Sequence, residues 1–96
     1  MAEYLIRTAA TREWPAFHRT RNAEVLLPAS RDCTAIDGWG DFRMQCGSAE
    51  IAFSGEMVGW HVVVDGAVAD VEGLLSEVTE QVALAVGVPC EWVRID

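Results

Sequence analysis

Residues 70–86, DVEGLLSEVTEQVALAV, constrain the fold more than any other stretch. Val71, Leu74, Leu75, Val78, Val82, Ala85 and Val86 recur at the 3, 4, 7 spacing of a helix that buries one stripe. Asp70 stands where an N-cap belongs and Gly87 where a C-terminal cap belongs, and Pro89 blocks continuation. Apolar runs flank this helix: WHVVVD at 60–65 and CEWVRI at 90–95. Strand, helix and strand in that order form a crossover, right-handed where the two strands run parallel. The helix must therefore lie across one face of a sheet.

The remaining strands follow from alternation. In DFRMQC, Phe42, Met44 and Cys46 face one way and Asp41, Arg43 and Gln45 the other. AEIAFS alternates likewise, and Gly47-Ser48 between them suits a two-residue type II′ hairpin turn. GEMVG, residues 55–59, reads as a longer turn, and the β-branched run at 60–65 suits a central strand. EYLIRT at 3–8 is a first strand, and residues 23–28 are either a second strand or the tail of a helix. Thr11 and Pro15 suggest a short helix near 11–21, while residues 29–40, rich in turn formers, read as a loop. The expectation is α/β (α+β): a two-layer sandwich with a mixed, mostly antiparallel sheet of about five strands. One main C-terminal helix (70–86) packs on one face, leaving Trp39, Trp92 and Met57 as candidates for the uncovered side.

Ninety-six residues make a single domain, 1–96. No run of about 20 apolar residues offers a membrane span. The start, MAEYLIRTAA, lacks the pattern of a signal peptide. Cys33, Cys46 and Cys90 are odd in number and widely spaced, so all three are expected as reduced thiols and the location as cytoplasmic. No close ligand pair suggests a metal, and no cofactor motif occurs.

Charge is distributed unevenly. Residues 1–48 carry six acids and six arginines; residues 49–96 carry nine acids and one arginine, so the whole net charge of −8 lies in the second half. This disfavours nucleic acid and anionic membranes as ligands of that half and favours a basic partner protein. The carboxylates expected to bind that partner are Asp65, Asp70, Glu72, Glu77 and Glu80, joined by Glu50 and Glu56. On a helical wheel Glu72, Glu80 and Glu77 fall about 100°, 180° and 240° from Val71, all away from the apolar stripe. Asp70 and Glu72 gain from the helix dipole, but Glu77 and Glu80, an i, i+3 like-charge pair, do not. Reversing Glu77 and Glu80 to Lys is expected to weaken docking and spare the fold.

A secondary interface candidate is the segment holding Arg12, Trp14, Arg19 and Arg21, because tryptophan and arginine are enriched at protein hot spots. In size and acidity the chain is similar to phage-encoded inhibitors of bacterial defence and to immunity proteins of toxin systems. That likeness implies a stoichiometric inhibitor covering the basic nucleic-acid groove of its target. One alternative is a homo-oligomeric accessory subunit, such as a homodimer, pairing through its sheet. A second is a small enzyme using Cys46 or Cys33 with a histidine, of which the chain has His18 and His61.

Overall fold

The computed structural model describes residues 1–96. It is an α+β two-layer fold: β1 (Ala2–Thr8), α1 (Asn22–Leu26), β2 (Cys33–Ala35), β3 (Phe42–Cys46), β4 (Ala49–Glu56), β5 (Gly59–Asp65), α2 (Val71–Val86) and β6 (Cys90–Arg94). One six-stranded sheet has the order β2-β3-β4-β5-β1-β6. The sheet thus has one strand more than expected, and it is not mixed: every pair is antiparallel. The crossover explains this. β5 and β6 do run parallel to each other, but β1 fills the slot between them and is antiparallel to both.

Alternation then sorts side chains onto two faces. Ile6, Met44, Ile51, Phe53, Trp60 and Val62 point toward α2 and join Leu74, Leu75, Val78 and Val82 in one cluster. Each such side chain, fully buried, is worth about 1.5–3 kcal/mol. Asp70 caps α2 by accepting from the Gly73 N–H at 3.2 Å, and Gly87 ends it at φ +77°. A Cβ at position 73 would meet the Asp70 carboxylate, so a larger residue there would displace the cap. The opposite face has no helix over it. Leu5, Ala52 and Val63 lie there and are nonetheless buried, so the surrounding long side chains supply their cover.

The Gly47-Ser48 turn forms as expected, with Gly47 at φ +62° and Cys46 paired to Ala49. The 55–59 turn is tighter than expected: Glu56 pairs with Gly59, and only Met57 and Val58 form the tip. The helix expected near 11–21 is displaced. Residues 12–18 are irregular, a 3₁₀ turn covers Arg19–Arg21, and α1 follows. Aromatic docking overrides helix propensity here. Trp60 Nε1 donates to the Pro15 carbonyl at 3.2 Å, and Trp14 lies against Gly55, where any Cβ would strike its ring. Of residues 23–28, the first four are helical, as part of α1, and Leu27 is already extended. The expected loop 29–40 contains β2.

Two sequence readings about individual side chains need correction. Trp92 is not on the uncovered side: it points to α2, donates from Nε1 to Ser76 Oγ at 3.0 Å and meets Tyr4 edge to face. Cys33 and Cys46 are not reduced thiols but a disulfide. Their Cα atoms are 4.4 Å apart, the spacing of a non-hydrogen-bonded antiparallel pair. Cys90 is the free thiol. A disulfide fits an oxidising compartment, so the cytoplasmic expectation loses its support from the cysteines. No helix is long and apolar enough to cross a membrane.

Candidate functional site

The carboxylates expected to form one docking surface fall on two sides of the sheet. Glu50, Glu56 and Asp65 stand on the uncovered face, by their alternation with buried Ile51 and Val64. Asp70, Glu72, Glu77 and Glu80 belong to the helical layer. The single seven-carboxylate patch is therefore not formed.

Most members of the set also have partners. Glu50 pairs with Arg43 at 2.8 Å. Glu56 and Glu3 take opposite nitrogens of His61, at 3.0 Å on Nδ1 and 2.7 Å on Nε2. Asp70 is occupied as the helix cap, with Arg31 at 3.7 Å and donating to the Ala69 and Asp70 carbonyls at 2.6 and 2.8 Å. Glu77 is an anchor: it accepts from the Ser30 backbone N–H at 2.8 Å and the Ser30 hydroxyl at 2.7 Å. One turn on, Gln81 donates to the Val25 and Leu27 carbonyls at 2.8 Å each and accepts from Ala29 N–H at 2.9 Å. Together these two side chains fasten the end of α1 and the following turn to α2. The wheel rightly excluded Glu77 from the apolar stripe, but it held no information that residues 25–30 pack on that flank.

The Ser30 hydroxyl, then its N–H, hold the Glu77 carboxyl below the ordinary glutamate range. A carboxylate with a depressed folded-state pKa contributes stability above its unfolded pKa, about 4.3, and loses it as pH falls through the folded value. Glu77→Gln should therefore be less stable than the parent protein at neutral pH. That difference should shrink below about pH 4, as followed by urea denaturation across pH.

Three of the expected carboxylates make neither an ion pair nor a side-chain hydrogen bond: Asp65 on the uncovered face, and Glu72 and Glu80 on the exposed side of α2. Glu80 borders a groove of about 320 Å³ between α2 and β6, shared with Ser76, Cys90 and Trp92. The strand side of this groove has a property the sequence did not reveal. Ile95 N–H donates to the Glu3 carbonyl at 3.0 Å. By ladder alternation Val93 and Glu91 also face β1, so Cys90, Trp92 and Arg94 turn their backbone N–H and C=O groups away from the sheet. Nothing in the fold pairs with them, because β6 is the last strand. The other edge, β2, is only three residues long. A sheet-pairing surface was anticipated from sequence, but strand order, which alone identifies the edge, was not legible.

In the N-terminal segment, Arg21 is tied to Glu24 at 2.9 Å, whereas Arg12 and Arg19 are exposed and unpaired. Trp14 is 37% exposed. The thiol–histidine pairing is not assembled. Cys33 and Cys46 are bonded to each other, and Cys90, its thiol pushed up by burial, points to the helix side while His61 sits on the opposite face. No protein-family model, curated protein or solved structure matches this chain.

Proposed function

We propose that this protein is a non-catalytic, stoichiometric binding module that accepts an extended segment of a basic partner protein along the outer edge of β6. The unpaired backbone groups of Cys90, Trp92 and Arg94, beside the unneutralised Glu80, carry this reading. Strand addition supplies main-chain hydrogen bonds, and the neighbouring groove supplies side-chain selectivity. Glu72 and Glu80 add attraction to a positive partner, acting on association rate and salt dependence more than on affinity at high salt. A nuclease or effector with a basic nucleic-acid groove is the partner class that the −8 charge fits, which makes an inhibitor of the immunity or anti-defence type the working role.

The test starts from a partner captured from the native host at low salt. Glu72→Lys combined with Glu80→Lys should weaken that complex about 10- to 100-fold at low salt and leave thermal stability within a few degrees. Equal affinity of the double variant, measured by calorimetry, would remove the acidic contribution. Glu77 is left out of this pair because it holds Ser30.

The same free edge favours a second reading, a homodimer joined β6 to β6. Its two subunits would each bring a net charge of −8 to the contact, which opposes association at low salt. Light scattering at high protein concentration decides: a monomer excludes the dimer.

A further inference from the structure

A second cleft, of about 290 Å³, lies on the helix side of the sheet, away from the β6 edge. Its floor is Trp60, itself only 2% exposed. Trp14 stands edge-on to Trp60 with centroids 5.4 Å apart, and Phe17 tilts over the same ring at 5.3 Å. The polar lining is Asn22, Asp41 and Arg19.

Each of those groups has unused capacity. Asn22 is 8% exposed; its Nδ2 donates to the Asp41 carbonyl at 3.2 Å, and its Oδ1 has no partner. The reverse amide orientation would set two oxygens together, so the orphan is the acceptor. Asp41 uses Oδ2 to accept from the Gly55 N–H at 2.7 Å, and its other carboxylate oxygen has no hydrogen bond. Arg19 has no ion pair. The cleft therefore presents one free carboxylate oxygen, three aromatic rings and one free guanidinium, with the unpartnered Asn22 Oδ1 buried beneath its lining.

An ammonium group satisfies the free Asp41 oxygen and is attracted to the aromatic faces. A carboxylate on the same molecule satisfies Arg19. An apolar side chain occupies the remaining aromatic wall. We propose that this cleft binds a small free α-amino acid with an apolar side chain, its ammonium on the free Asp41 carboxylate oxygen and its carboxylate on Arg19. This site is independent of the β6 edge and stands or falls separately from docking there.

The probes are L-valine, valinamide, which lacks the carboxylate, and isovalerate, which lacks the ammonium. The readout is the indole N–H resonances of the uniformly ¹⁵N-labelled full chain, with Trp92 and Trp39 as internal controls. L-Valine should shift Trp14 and Trp60 and leave Trp92 unmoved; isovalerate should do neither. Valinamide should bind about tenfold more weakly than valine. Asp41→Asn keeps the acceptor for Gly55 N–H and should lose valine binding. Arg19→Gln, at an exposed unpaired position, should bring valine down to the affinity of valinamide. If millimolar valine leaves Trp14 and Trp60 unshifted in the folded protein, the site does not exist. Equal binding of valine and valinamide, or of valine to the Arg19→Gln protein, overturns the assignment of the carboxylate. An isovalerate response equal to that of valine overturns the assignment of the ammonium.

Discussion

Trp60→Ala should destabilise the protein by about 3–5 kcal/mol, the range for removing a large aromatic from a packed core. Three losses combine at this position. The ring is 2% exposed, so its removal leaves a cavity on the helix side of β5. Its Nε1 holds the Pro15 carbonyl at 3.2 Å, so that group loses its donor. Trp14 and Phe17 both pack on it, so residues 12–18, which have no regular structure, lose their anchor. Hydrogen exchange should show new opening in residues 11–21 beyond that of the rest of the chain. Trp60→Phe keeps the packing and loses the hydrogen bond, and should cost about 1–2 kcal/mol. Equal stability of the alanine variant and the parent protein would mean that this segment is not held by Trp60.

The second large effect belongs to the disulfide. Cys33→Ser should lower the unfolding free energy by about 3 kcal/mol, the chain-entropy figure for a loop of about 15 residues. The two cysteines are 13 residues apart in sequence. The effect concentrates on β2, a three-residue edge strand paired only with β3. Without the bond, residues 27–36 are held by the short β2–β3 ladder and by two adjoining contacts: the clamp from Glu77 and Gln81, and Arg31 on the Ala69 and Asp70 carbonyls. Denaturation with and without reductant measures this directly. A parent protein indifferent to reductant, with its thiols titrating as three, would show that the cysteines are not joined.

Both effects concern parts of the fold that the sequence concealed, and the reason is the same. The residues that announced themselves were those whose partners are close in the chain. α2 was legible because its stripe, its Asp70 cap and its Gly87 stop are local signals, and the β3–β4 hairpin was legible because Gly47-Ser48 sets its register locally. Whether β5 and β6 were neighbours depended on β1, more than fifty residues earlier, inserting between them. The Cys33–Cys46 bond likewise required β2, which propensity hid inside a loop rich in turn formers. Among the carboxylates, Glu72 and Glu80 kept the exposure that helical periodicity gave them. Glu50, Glu56, Asp70 and Glu77 met arginine, histidine or serine from distant or cross-strand positions that periodicity does not encode. Charge asymmetry in sequence therefore overstated the free negative surface.

Strand addition at β6 is the central claim, and Arg94→Pro is its most direct test. The Arg94 N–H points away from β1, so proline there removes an outward donor and leaves the β1–β6 ladder intact. Arg94→Ala is the control, since it removes the guanidinium and keeps the N–H. The measurement is the affinity of each variant for the captured partner at matched salt. The account predicts parent-like thermal stability for both variants, near-parent affinity for the alanine protein and binding weakened at least about tenfold for the proline protein. Parent affinity in a folded Arg94→Pro protein would contradict it.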